Sequence, residues 1–124
     1  MKISSYEDLL KAANAQSEPQ RLLFVFTQAE KATQHKGSSL TPVMCVDKLA
    51  SEQISFATLA EESRHTGKTW DIVFMACMSS KSDDPESEEA EQPLNAMVKS
   101  ILVGNIGNYL AFDRDGKMVK LVAS

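Results

Sequence analysis

Cysteine is scarce in this chain: Cys45 and Cys77 are the only two among 124 residues. Two thiols are too few for a disulfide scaffold, and neither stands in a C-x-x-C or at metal-ligand spacing from a histidine. Histidine is equally scarce, with His35 and His65 alone, so a structural zinc centre lacks ligands and no metal is expected. No apolar run approaches the ~20 residues that a bilayer span requires. The N-terminal MKISSYEDLL carries charge at Lys2, Glu7 and Asp8, where a secretory leader would be apolar. A reducing, cytoplasmic location without membrane association is the resulting expectation. Basic excess is also missing, since 13 Lys and Arg face 17 Asp and Glu for a formal charge of −4. A protein that tracks nucleic-acid phosphates needs a positive field, so nucleic acid is not an expected partner. The phosphate-loop, dinucleotide, nucleophile-elbow and H-E-x-x-H signatures are all absent, and no cofactor is implied. What is present, 43% hydrophobic and 24% charged residues, suits one globular domain over 1–124.

The pattern along the chain predicts eight elements. Ser4 or Ser5 followed by Glu7 and Asp8 starts a helix of about 5–15, because a hydroxyl accepts from a free amide while early acids suit the positive helix end. Pro19 stops it. Leu22–Phe26 is apolar at every position and reads as a central strand buried on both faces, opened by Arg21. Gln28 to Ser39 is polar and reads as a surface loop. Pro42 opens a strand of about 42–47, and a helix over 51–65 follows, with Ser51 as cap and Gly67 as terminator. Trp70–Met78 is a further inner strand. Leu94, Met97, Val98, Ile101 and Leu102 form a helical stripe ending at Gly104. Pro93 either occupies the first turn of a helix over 92–103 or kinks one that begins near 86, the latter being preferred. Tyr109–Phe112 and Met118–Val122 flank Asp115-Gly116, a strong hairpin signal.

The fold class that follows is α/β or α+β: a mixed five-stranded sheet with about three helices packed on it and a C-terminal β-hairpin. Strand-helix-strand units predict parallel neighbours, and doubly apolar strands favour helices on both faces. If the strands near 44, 74 and 110 run parallel, their carboxyl ends share a rim where ligands tend to bind. Asp47, Lys48, Ser79, Ser80, Asp113 and Arg114 would then be the candidate ligand-binding residues, although every strand ends in something hydrophilic. Catalytic residues are not identified. His65, one turn after Glu61 and Glu62, has the form of an oriented general base, but a solvated helix end explains the same residues. The cysteines read as small apolar core residues. Asp83 to Glu91 holds six acids in nine residues, and Glu86, Glu88 and Glu89 at the helix start are the candidate partner-binding residues.

The stretches PQRLLFVFTQAE (19–30), LTPVMCVDK (40–48), WDIVFMACMS (70–79), AEQPLNAMV (90–98) and YLAFDRDG (109–116) together resemble a family of small uncharacterised proteobacterial proteins. The likeness covers nearly the whole chain, and the 28–39 loop is shorter than in the relatives. Members often carry the label ribonucleotide reductase alpha subunit. That reaction requires a radical-bearing site with several cysteines in a far larger barrel, which two cysteines in 124 residues do not provide. The expected function is a protein-interaction or regulatory module that presents the acidic helix start and the 28–39 loop. The alternative is a small-ligand-binding protein or enzyme with its site at the sheet rim.

Overall fold

Leu22–Phe26 is each at most 4% exposed, as an apolar run closed at both ends by polar residues should be. In the computed structural model, which describes residues 5–30, 39–52, 55–67, 69–80, 88–106 and 109–119, this run forms the middle of β1 (Gln20–Glu30). It lies between β2 (Ser39–Leu49) and β3 (Ile72–Ser79). The sheet continues through β4 (Leu110–Asp113) to β5 (Met118–Val119), in the order β2-β1-β3-β4-β5. Five strands, three α-helices among the described residues and a terminal hairpin agree with the expected fold class.

The strand directions correct it. Every neighbouring pair is antiparallel, so the sheet is not mixed. β1 inserts between β2 and β3, which therefore run parallel without touching. The last strand-helix-strand unit also fails to give parallel neighbours. The chain re-enters the sheet at Leu110, opposite Met75 in the middle of β3, and heads back toward Ile72.

Three helices share one burial rule. α1 (Tyr6–Asn14), α2 (Phe56–Arg64) and α3 (Glu91–Leu102) each bury positions i, i+3 and i+7: Tyr6, Leu9 and Ala13; Phe56, Leu59 and Ser63; Leu94, Met97 and Ile101. Ser5 and Ser55 accept from the amides of Asp8 and Thr58 at 3.2 and 3.1 Å, capping α1 and α2. Ser51 is not the cap. Ala50–Glu52 instead forms a 3₁₀ turn, fastened by the Glu52 carboxylate accepting from the Leu49 amide at 2.9 Å. α3 starts at Glu91 after a 3₁₀ turn of Glu88–Ala90, so Pro93 sits in its first turn, where a missing donor costs nothing.

Helices cover both faces of the sheet, each with a different filling. α1 and α2 lie over an aromatic layer of Tyr6, Phe24, Phe26, Phe56, Trp70 and Phe112, with Tyr6 edge-on to Phe56 at 5.5 Å and Phe26 edge-on to Trp70 at 5.0 Å. α3 covers Leu23, Val25, Phe74 and Ala111 with Leu94, Met97 and Ile101. Burial, with the nearby charges of Glu7 and Glu62, pushes the Tyr6 phenol up to about 12. Its folded pKa lies above the unfolded value of about 10, so its contribution is complete below pH 10 and lost as pH rises toward 12. Thermal melts between pH 9 and 12 should show a decline worth up to about 3 kcal/mol. A Tyr6→Phe variant should lack that decline.

A bulge and a turn shape the edges of the sheet. Phe26 pairs with Met44 but Thr27 with Pro42, which leaves Val43 as the extra residue of a bulge on the edge strand. The bulge accommodates a proline inside β2, whose first residue is Ser39. In the hairpin, Asp113 Oδ1 accepts from the amides of Asp115 and Lys117 at 2.9 and 3.0 Å. Gly116 has φ +83°, and a Cβ there would stand 3.1 Å from the Phe56 ring, so glycine is required on both counts. The expected continuation of this strand beyond 119 lies outside the described residues.

Candidate functional site

The chemistry at the sheet rim centres on a residue that the pattern passes over. Arg21 is in phase with Leu23 and Val25, so its side chain points to the α3 face, where it is fully buried. Its Nη1 donates to Asp47 Oδ2 at 2.6 Å and its Nε to Glu89 Oε1 at 2.9 Å. The same Glu89 oxygen accepts from Ser80 Oγ at 2.5 Å. Position follows from register. Arg21 lies opposite Leu49 and Met78, Asp47 opposite Leu23 one pleat along on the same face, and Glu89 is held over them by the turn preceding α3. Both carboxylates raise the guanidinium pKa against the burial that would lower it. One buried cation is thus shared by two anions whose side chains are 24% and 16% exposed.

The six predicted rim residues do not converge. Asp47 and Ser80 belong to the Arg21 cluster. Lys48 turns to the opposite face and pairs with Glu62 of α2 at 3.0 Å. Ser79 is exposed, with its hydroxyl 3.5 Å from Gln20 Nε2. Asp113 pairs with Ile72, seven residues from Ser79 along β3, which puts it and Arg114 ~23 Å away at the other end of the sheet. The carboxyl ends of β2 and β3 do share a rim, since both strands run antiparallel to β1, but β4 runs the other way and takes Asp113 and Arg114 from it. Of the acidic candidates, Glu89 is engaged by Arg21 and Ser80, Glu88 contributes backbone to the 3₁₀ turn, and Glu86 lies outside the described residues. The predicted 28–39 loop is shorter than expected at both ends, since Gln28–Glu30 extend β1 and Ser39 opens β2, and residues 31–38 lie outside the described residues.

The remaining candidates stand apart. Cys45 and Cys77 are both exposed, which corrects the core reading. Cys45 pairs with Val25 and Cys77 with Leu22, whose side chains point to opposite faces, so the two thiols are separated by the sheet itself. Desolvation raises the Cys77 thiol pKa, the reverse of an activated nucleophile. His65 Nε2 lies 3.5 Å from Glu61 Oε1, but His65 is 75% exposed and Glu61 also pairs with Arg64, as a solvated helix end would arrange them. A cleft of about 540 Å³ runs along α1 and is lined by Glu7, Leu10, Lys11, Asn14 and Ser55, none of them a predicted site residue. Among the described residues no group of three metal-ligating side chains converges, no buried side-chain nitrogen or oxygen lacks a hydrogen-bond partner, and no helix is long and apolar enough to cross a membrane.

Comparison with known proteins returns no match to a protein-family model, to a curated protein or to a solved structure.

Proposed function

We propose that the protein is a non-catalytic, cytosolic binding module of the small proteobacterial family its sequence resembles, and that it engages another protein through the outer edge of β2. The observation that carries this reading is topological. Among the described residues, β2 is an eleven-residue strand with a single neighbour in the sheet, while the strand at the other edge, β5, has two residues. An edge strand turns alternate N–H and C=O groups outward, and an extended segment of a partner can pair with them. Pro42 and the Val43 bulge interrupt the first part of that edge. Met44–Lys48 remains regular, the Leu49 amide being taken by Glu52, and its five residues are an ordinary strand length. Cys45 is exposed within this stretch and Met44 and Val46 are half-buried, so apolar side chains flank the open backbone.

The competing reading, a ligand site at the rim, loses support because its polar groups are spent on one another. Arg21, Asp47, Glu89 and Ser80 form an internal network instead of a set aimed at a shared space.

Thiol-directed photocrosslinking separates the two. A benzophenone maleimide is attached to Cys45 in a Cys77→Ser background, and to Cys77 in a Cys45→Ser background, and each is irradiated in native lysate. Strand addition at β2 predicts one discrete adduct from position 45, competed away by unlabelled protein, and none from position 77. Equal or absent adducts at the two positions would overturn it. A thermal-shift response to a metabolite that Asp47→Asn abolishes would move the assignment to the rim, where a ligand at a hundredfold its Kd adds about 2.7 kcal/mol.

A further inference from the structure

We infer that the pocket between the C-terminal end of α2 and the β4–β5 turn is a binding site for a small oxyanion, a phosphate or carboxylate group. This inference is independent of the β2 edge. The pocket encloses about 200 Å³ and is lined by Ala60, Ser63, Arg64, Thr69, Trp70 and Arg114. The pocket is open to solvent on one side, and its volume suits a group of several heavy atoms.

The floor is internally satisfied. Trp70 Nε1 donates to Ser63 Oγ at 2.8 Å, and that hydroxyl donates to the Ala60 carbonyl at 2.6 Å. Recognition therefore falls to the walls. Thr69 Oγ1 accepts from Gln28 Nε2 at 3.1 Å, which leaves its own hydrogen available to an acceptor in the pocket. Arg64 and Arg114 bring two guanidinium groups, whose planar forks match the geometry of oxyanions. Arg64 shares Glu61 with His65, whereas Arg114 makes no ion pair among the described residues. The acid beside it, Asp113, is spent on the hairpin amides.

A helix C-terminus ordinarily repels an anion. At the end of α2 the last carbonyls are covered. The amides of His65, Thr66 and Gly67 donate to the carbonyls of Glu62, Ser63 and Arg64, and Thr66 Oγ1 donates to the Ser63 carbonyl as well. The pocket thus faces capped backbone and two cationic side chains.

Trp70 is the only tryptophan of the chain and lines this pocket, so its emission responds to binding there. Its emission is to be followed while inorganic phosphate is titrated against sodium chloride at matched ionic strength, with sodium acetate as a parallel arm that separates phosphate from carboxylate preference. A saturable change with phosphate or acetate and none with chloride is expected. Arg114→Gln should weaken the response at least tenfold with an unchanged Tm, because Arg114 is exposed, and Lys117→Gln on the same hairpin should leave it unaltered. A response that fails to saturate, that chloride reproduces, or that persists at full affinity in Arg114→Gln overturns the inference.

Discussion

Replacing Arg21 with methionine should destabilise the chain by about 3 kcal/mol, since removing one member of a buried charge cluster leaves its partners uncompensated. The figure sits at the lower end for such changes because Asp47 and Glu89 keep some contact with solvent and can rehydrate in part. Replacing all three together, Arg21→Met with Asp47→Leu and Glu89→Leu, should recover most of the loss, because apolar groups of similar volume carry no desolvation cost. Urea denaturation of the single and triple variants checks both statements. A neutral Arg21→Met variant would mean that the ions at the rim are not mutually dependent. Between the two variants lies a test of what the cluster does. It fastens the start of α3 to β1 and β2, so the single variant should also loosen Glu88–Ala90, seen as faster amide exchange there.

Truncating Phe26 to alanine is expected to cost more, about 3–5 kcal/mol, with a fall in Tm on the order of 15 °C for a domain of this size. Phe26 is 1% exposed and joins two parts of the aromatic layer, lying 6.5 Å from Phe24 and 5.0 Å from Trp70. The layer cannot close over the gap, because α1 and α2 are pinned above it by their serine caps and by Tyr6 and Phe56. Scanning calorimetry gives the magnitude, and a shift in Trp70 emission gives the place. A loss below 1 kcal/mol would show that the rings repack, contrary to the argument from rigidity.

Much of this architecture is legible in the residues. Leu22–Phe26 announces a strand with two buried faces, but the order of β2, β1 and β3 around it is not legible, because edge pairing is made by backbone groups that every residue carries. The i, i+3, i+7 stripes locate the helices to within a few residues, except at the start of α2 and α3, where short 3₁₀ turns replace the predicted first turn. Strand direction is not legible, because it depends on where the chain re-enters the sheet after a helix, and Leu110 enters midway along β3. The Arg21 cluster escapes for a related reason. Its partners lie 26 and 68 residues away, and local pattern carries no information at that range. One signal was available: Arg21 has the same strand parity as Leu23 and Val25, so an inward cation required acidic partners. The exposed cysteines show the converse, since alternation along β2 and β3 fails to tell a covered position from one that the helices do not reach.

The central place of β1 has a consequence for synthesis. Its apolar middle leaves the ribosome roughly fifty residues ahead of β3, the strand that covers its second edge. At translation rates of about 5–20 residues per second that interval lasts several seconds. During it, a nascent β1–β2 hairpin must hold Phe24 and Phe26 without the helix and strand that later enclose them.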